Sequence, residues 1–162
     1  MKTLFLILLF GALLQASYTK TNGIVSDSQT GLMWQDDYDN NTTSTGDTVP
    51  NMNWTEAIGY CNDLTDLGYD DWRLPNVNEL VSITDDATYA PAINSVFEHT
   101  ANNWYWSATT YAADATVAWG VDFDYGNVYA INKSPSGYVR CVRGSIAPLN
   151  TPLVPVLMYL LD

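Results

Sequence analysis

The side chains that could carry out catalysis are few in this sequence, and their spacing does not group them. His99 is the single histidine, and the two cysteines, Cys61 and Cys141, stand 141 − 61 = 80 positions apart. Neither a Cys-x-x-Cys pair nor a Gly-x-Ser-x-Gly motif occurs, so zinc ligation and a serine triad have no basis in the sequence. The 18 acidic residues leave room for a glycosidase-type pair, but no spacing distinguishes two of them. The sequence therefore favours a non-catalytic protein over an enzyme.

Oxygen ligands for calcium are concentrated in one polar segment. Asp37, Asp39 and Asn41 alternate there, as do the first ligands of an EF-hand loop. Threonine stands at both later positions where that loop requires its turn glycine and its bidentate glutamate, so the EF-hand interpretation fails. An irregular calcium site formed by Asp36, Asp37 and Asp39 stays open, and no other cofactor is indicated.

Aromatic and polar side chains in predicted loops are the candidates for ligand recognition. Aromatic rings stack on sugars and anchor protein partners, and loops on a rigid scaffold are where such contacts usually lie. Tyr111, Asp114, Tyr125 and Asn127 stand in or beside turn-rich segments of the second half of the chain. We therefore predict that these four residues bind a glycan or a protein ligand.

Arg73 lies between apolar neighbours, just before a predicted helix. A guanidinium in such a setting is usually bonded to backbone carbonyls and to a carboxylate, and Glu79 lies within reach in the following helix. We therefore predict a structural pair between Arg73 and Glu79 in preference to a ligand-binding arginine.

The start of the chain predicts export. Lys2 precedes an apolar run over residues 4–14, and the small pair Ala16-Ser17 follows it, which is the order of a secretory signal peptide over residues 1–17. The apolar run is too short to span a bilayer comfortably, so any membrane contact would come only from an uncleaved signal. We expect a periplasmic or extracellular protein.

The two cysteines fit that compartment. An even number of cysteines in an oxidising environment favours a disulfide, so we predict a bond between Cys61 and Cys141. Closing a loop of this length would stabilise the fold by about 4–5 kcal/mol in the chain-entropy model.

Composition limits the class of protein and of partner. The chain has a hydrophobic fraction of 47% and an aromatic fraction of 13%, so it can bury a core, and its net charge is −12. That charge repels phosphate backbones, which argues against nucleic acid as a partner. The residues predict one domain over 18–146 and a proline-containing apolar tail over 147–162, and they do not determine an oligomeric state.

The first half of the predicted domain contains a hairpin and two helices. Residues 24–27 and 32–35 are predicted strands joined by a turn. Each helix begins with an asparagine that precedes a glutamate by three positions, which is a variant of the capping box: Asn53 with Glu56, and Asn76 with Glu79. The apolar stripes extend to Leu64 in the first helix, with Cys61 on its buried face, and to Thr84 in the second.

The second half changes to a strand pattern. Residues 116–123 alternate between apolar and other side chains, a turn follows at 124–127, and 128–132 form a return strand. After a second turn, residues 138–143 are predicted as one further strand that carries Cys141. Helices followed by a meander predict an α+β domain in which the disulfide joins a helix to a sheet.

Five motifs occur in order along the chain: TGLMWQ at 30–35, NWTEA at 53–57, DWRLPN at 71–76, YWS at 105–107 and YVRCVRG at 138–144. As a set they resemble a known bacterial domain, the one found at the C-terminus of the Legionella collagen-like adhesin (Lcl-type domain). The resemblance implies a C-type-lectin-like fold, with two helices packed on antiparallel hairpins, and no assigned activity for most members.

Three functions agree with these features. We favour an exported, non-catalytic binding or adhesion module that presents loops to a glycan or protein. The alternatives are a secreted carboxylate-dependent hydrolase and a structural component of the cell envelope whose apolar tail docks on another subunit.

Overall fold

The architecture is α+β, with two short helices and two mainly antiparallel sheets. A computed structural model of the chain describes residues 18–38, 48–65 and 68–144. The predicted signal peptide and the C-terminal tail lie outside these residues, as does Asp39. The elements are β1 (Tyr18–Thr21), β2 (Ile24–Asp27), β3 (Met33–Gln35), β4 (Asn51–Met52), α1 (Trp54–Asp63), α2 (Val77–Val81), β5 (Trp104–Thr110), β6 (Val117–Asp122), β7 (Asn127–Asn132), β8 (Gly137–Tyr138) and β9 (Val142–Arg143).

The first sheet has the strand order β1-β2-β3-β9, and all its pairs are antiparallel. The predicted hairpin of β2 and β3 is confirmed. Strand β1 was not predicted, although the Asn22-Gly23 pair that joins it to β2 is a hairpin signal. Both residues have positive φ (49° and 75°), and a Cβ at Gly23 would lie 2.1 Å from the Cβ of Asp37, so only glycine fits there.

The second sheet has the order β4-β8-β5-β6-β7, in which β8 runs parallel to β5 and the other pairs are antiparallel. Strands β6 and β7 and the turn between them confirm the predicted meander. Strand β5 was not predicted. Its sequence, WYWSATT, does not alternate between apolar and polar residues, and its buried residues do not alternate either.

Apolar cores cover both faces of the second sheet at β5 and β6, whereas β7 is mostly exposed. Consecutive residues of a strand point to opposite faces, and in β5 Tyr105 belongs to one buried cluster and Trp106 to the other. Leu80 of α2 packs in the Tyr105 cluster, while Cys61 of α1 packs in the Trp106 cluster. The helices therefore stabilise the sheet from opposite sides.

Both predicted capping boxes are confirmed. The side chain of Asn53 accepts hydrogen bonds from the backbone N–H groups of Thr55 and Glu56, and the Glu56 carboxylate accepts one from the backbone N–H of Asn53. Asn76 and Glu79 exchange the same reciprocal bonds. Helix α2 is shorter than predicted, since it ends at Val81 instead of continuing to Thr84.

The single strand predicted over residues 138–143 is wrong. The segment forms β8 in the second sheet and β9 in the first, and Cys141 lies between them. Because this crossing segment passes between two sheets, Val139, Arg140, Cys141 and Val142 are all buried instead of alternating. The predicted disulfide is confirmed, with the Cα atoms of Cys61 and Cys141 5.4 Å apart, and it joins α1 to this segment.

Candidate functional site

The outer face of the first sheet is one surface that could form a site; a second, more open cavity of about 290 Å³ lies between Val49, Thr100 and Tyr138. The inner face of the first sheet is closed, because Val25, Trp34 and Val142 are fully buried in the core. The alternate positions of the same strands point outward, and the register pairs Ser26 directly with Met33. The cross-strand geometry therefore places side chains of β1, β2 and β3 side by side on one face. That face is open around Ser26 and Met33 and closed at Gln35, whose buried side chain donates to the Tyr60 hydroxyl of α1.

A small depression of about 180 Å³ lies on this face. Ligand pockets for drug-sized molecules have volumes of about 300–1,000 Å³, so this one matches a single sugar unit or one side chain. Its wall is formed partly by the sheet and partly by the segment that follows α1. The lining residues are Thr21, Asn22, Ile24, Ser26, Met33 and Tyr69.

An arginine holds the aromatic wall of the depression in place. The Arg143 guanidinium lies 3.6 Å from the ring centroid of Tyr69, and its Nη1 lies 3.0 Å from the Met33 sulfur. Its Nε and Nη2 donate to the two carboxylate oxygens of Asp71 at 2.5 and 3.1 Å. These bonds from Arg143 hold the pKa of the Asp71 carboxyl below its usual range. The positive charge of Arg143 and the negative charge of Asp71 at the rim of the depression thus neutralise each other.

The polar groups that line the depression are available to a ligand. In the described part of the chain, the side chains of Thr21, Asn22 and Ser26 have no hydrogen-bond partner within the protein. A hydroxyl and an amide each both donate and accept, as does a sugar hydroxyl. The depression is therefore suited to a neutral ligand that carries several hydroxyl groups.

The four predicted ligand-binding residues do not form one site. The backbone N–H of Tyr111 donates to Val117 at the start of β6, and Asp114 lies in the same loop. Asn127 pairs with Asp122 at the other end of β6, next to Tyr125 in the β6–β7 turn. The two groups are therefore separated by the length of β6, about 17 Å.

Within these groups, the local contacts differ. Tyr111 packs edge to face on Trp119, with ring centroids 5.3 Å apart. The Asp114 carboxylate accepts bonds from the side-chain hydroxyl and the backbone N–H of Thr116, which lower the pKa of Asp114. Tyr125 is 67% exposed. The four loop residues thus remain candidates for ligand binding, but on two separate surfaces.

Asp36, predicted as a calcium ligand in an exposed loop, is fully buried. Its carboxylate accepts hydrogen bonds from Lys20 at 2.7 Å and Arg140 at 3.1 Å, and from the backbone N–H groups of Glu98 and His99. Four donors already form hydrogen bonds with this carboxylate, so its role in the described structure is to hold these segments together.

The calcium prediction itself stays a prediction, because Asp39 lies outside the described residues. Asp37 lies next to the β1–β2 turn. Among residues 18–38, 48–65 and 68–144, no group of three or more His, Cys, Asp or Glu side chains is placed to hold a metal ion.

Arg140 was not identified from the sequence as a central residue. Its side chain is fully buried, and besides Asp36 it donates to the backbone oxygen of His99 at 2.7 Å and to the hydroxyl of Thr100 at 2.8 Å. The signal that could have found it is its position in a run of apolar residues next to a disulfide cysteine. A buried cation there requires a buried carboxylate.

The predicted pair of Arg73 and Glu79 is present. Two parallel hydrogen bonds of 2.7 Å join them, and Arg73 also donates to the backbone oxygen of Gly144. The bonds to Glu79 outweigh the effect of partial burial and raise the pKa of Arg73. This pair anchors the start of α2 to the end of the described chain.

A hydrolytic carboxylate pair would need one group with a raised pKa to act as the acid. Asp36 and Glu98 are both bonded to the Lys20 ammonium, at 2.7 and 2.8 Å. The bond from Lys20 lowers the pKa of Glu98. This arrangement is that of a structural ion triad.

Comparison with known protein families gives a match to the Lcl C-terminal domain over residues 23–143. The match confirms the resemblance seen in the five motifs. No curated protein matches the chain. The disulfide indicates an extracytoplasmic domain. None of the helices in the described ranges is long and apolar enough to cross a membrane.

Proposed function

This chain belongs to the Lcl C-terminal domain family, and on that premise we propose that it is an extracytoplasmic, non-catalytic binding module that recognises a glycan. The observation that carries the proposal is the depression on the outer face of the first sheet. It combines polar side chains that have no hydrogen-bond partner among the described residues with an aromatic wall held by Arg143. Adhesion to a glycan-bearing surface is the biological role that such binding would serve.

The chemistry of the depression supports a neutral sugar over a charged one. The Arg143 charge is already bonded to Asp71, so among the residues placed by the structure the cation at the rim is not free to bind a sulfated or carboxylated sugar. The net charge of −12 also repels anionic glycans. Hydroxyl and amide groups from Thr21, Asn22 and Ser26 match the hydroxyls of an uncharged sugar.

The C-type-lectin-like architecture is part of the same proposal. Two short helices, two sheets and a disulfide between the first helix and the end of the described chain support it. In that architecture the rigid sheets would present the ligand-binding surface. An experimentally determined structure, superposed on known lectin domains, tests this part.

The binding proposal is tested by screening neutral and charged glycans and measuring the affinity of any hit by calorimetry. Asn22→Gly removes the amide without backbone strain, because φ is already positive there, and should weaken binding about fivefold through the loss of one hydrogen bond. Ser26→Tyr fills the depression and should abolish binding. Tyr125→Ala, on the far turn, serves as the control and should bind as the unaltered protein does.

Two results would redirect the proposal. If Tyr111→Ala or Tyr125→Ala abolished binding while Asn22→Gly and Ser26→Tyr did not, the loops would carry recognition. If binding required calcium and was lost in a chelator, the segment containing Asp36, Asp37 and Asp39 would be implicated. Absence of any glycan ligand in the screen would refute the proposal.

A further inference from the structure

Two strongly exposed tyrosines lie on adjoining segments at one end of the second sheet. Tyr89 is 77% exposed and Tyr125 is 67% exposed, the highest values among the large hydrophobic side chains of the described residues. The backbone N–H of Ala90 donates to the carbonyl of Asp124 at 2.8 Å, so the segment that carries Tyr89 runs beside the β6–β7 turn that carries Tyr125. Rings exposed to this extent do not pack in the core, and their faces are accessible to a partner.

The backbone around both tyrosines is anchored to the core. The N–H of Ala92 donates to the carbonyl of Phe123 at 2.6 Å, and both residues are buried. Within the turn, the N–H of Gly126 donates to the carbonyl of Asp122 at 2.8 Å. Because these bonds already fix the two segments, a partner that binds the tyrosines has little backbone to order.

Carboxylates without a protein partner accompany the tyrosines. A Cβ at Gly126 would lie 3.9 Å from Oδ1 of Asp86, so this exposed carboxylate lies beside the turn that carries Tyr125. Asp124 directly precedes Tyr125. In the part of the chain that the structure describes, neither of these two carboxylates takes part in a hydrogen bond or an ion pair. The tyrosine surface thus consists of Asp86, Tyr89, Asp124 and Tyr125.

The cations of the described residues do not neutralise the tyrosine surface. Four of them form ion pairs with carboxylates elsewhere, and the fifth donates to a hydroxyl and to a backbone carbonyl. In that order they are Lys20, Arg73, Arg140, Arg143 and Lys133. The net charge of −12 adds a long-range attraction for positively charged partners. A cationic partner therefore finds carboxylates that are not already paired.

We propose that the tyrosine surface binds a basic segment of another protein through its arginine side chains. This proposal goes beyond glycan binding at the first sheet and does not depend on it. A planar guanidinium can lie over an aromatic ring and donate hydrogen bonds to a neighbouring carboxylate at the same time. Exposed rings beside unpaired carboxylates supply both kinds of contact.

The protein itself contains an example of this combination. The Arg143 guanidinium lies 3.6 Å from the ring centroid of Tyr69 and donates to both carboxylate oxygens of Asp71. At the tyrosine surface the ring and the carboxylate are present and the guanidinium is not supplied by a described residue. The partner's arginine would take the place that Arg143 occupies beside Tyr69.

Calorimetry with a synthetic peptide of alternating arginine and serine tests the proposal. Low ionic strength is used, because salt screens exposed charges. The same peptide with glutamine in place of arginine should not bind. Tyr89→Leu/Tyr125→Leu removes both rings and should weaken binding of the arginine peptide about fivefold or more, whereas Tyr89→Phe/Tyr125→Phe keeps the ring faces and should retain most of the affinity. Because both side chains are exposed, thermal unfolding should show that all these variants fold.

A matched pair of charge variants separates this surface from the general effect of net charge. Asp86→Asn should weaken binding of the arginine peptide about two- to threefold. Asp63→Asn removes the same charge from an exposed position at the end of α1 and should leave the affinity nearly unchanged. The proposal is overturned if the unaltered protein does not bind the arginine peptide, if the leucine double variant binds it equally well, or if the two asparagine variants lose the same affinity.

Discussion

At the scale of single residues, the buried ion pair of Arg140 and Asp36 is the most demanding feature of the molecule. Both side chains are fully shielded from water. A buried charge is tolerated only if its partners stay in place, since desolvation costs several kcal/mol per ion. Arg140 also lies over the ring of Phe97, 4.6 Å from its centroid, so its position connects the crossing segment to the loop before β5.

Replacement of Arg140 should therefore cost more than replacement of a partly exposed arginine. Arg140→Met keeps the apolar stem but leaves the Asp36 carboxylate without its buried partner, and we expect the free energy of unfolding to fall by about 3–5 kcal/mol. Arg73→Met should show a smaller loss because the Arg73 side chain is 37% exposed, so water reaches its side of the pair even though Glu79 is buried. Urea denaturation of both variants measures the difference. Equal losses would mean that burial does not determine the energy of these pairs.

At the scale of elements, the packing of β8 on β5 depends on the absence of a side chain. A Cβ at Gly137 would lie 1.9 Å from Cζ3 of Trp104, which packs edge to face on the buried Trp106 at 4.6 Å. The Trp104 ring occupies the space beside the Gly137 backbone, and the missing side chain of Gly137 allows β8 to approach β5. This contact helps to direct the chain from the second sheet toward the first.

Two glycine substitutions separate this packing effect from the effect of adding a methyl group. Gly137→Ala should lower the free energy of unfolding by about 1–3 kcal/mol through overpacking against Trp104. Gly59→Ala, within α1, meets no atom within 4 Å and should raise it by about 0.5–1 kcal/mol, because alanine favours a helix. Thermal unfolding followed by circular dichroism distinguishes the two. A stabilised Gly137→Ala variant would contradict the assigned role of Trp104.

At the scale of the whole molecule, the disulfide joins two elements that are distant in sequence and pack in the same buried cluster. It connects α1 on one side of the second sheet to the crossing segment between the two sheets, across 80 positions of sequence. A crosslink over so long a loop restricts the unfolded chain strongly. It thus holds both sheets and α1 as one unit in an oxidising compartment.

Loss of the crosslink should destabilise the entire domain. In the double variant Cys61→Ala/Cys141→Ala, the free energy of unfolding should fall by up to about 4–5 kcal/mol. This is the value that the chain-entropy model gives for a loop of this length. Treating the unaltered protein with a reductant should lower its melting temperature in the same direction. The reductant should have no effect on the double variant, which is the control. A melting temperature unchanged by reduction would show that the bond does not stabilise this fold.

Local sequence determined the features that depend on neighbours in the chain. The capping asparagines Asn53 and Asn76, the β2–β3 hairpin and the β6–β7 meander were all predictable, because caps and turns use residues within a few positions of each other. The disulfide followed from having two cysteines in a chain predicted to be exported. The family followed from the order of five short motifs.

Only the tertiary structure decided the features that depend on distant residues. It divided residues 138–143 between two sheets, buried Asp36 against Arg140 across 104 positions, and separated Tyr111 from Tyr125 along β6. It also assembled the depression on the first sheet, where Tyr69 joins strands that precede it by more than thirty positions. Strand alternation gives the face on which a residue lies but does not show what covers that face. Burial and site geometry therefore depended on how the two sheets pack, which no local pattern encodes.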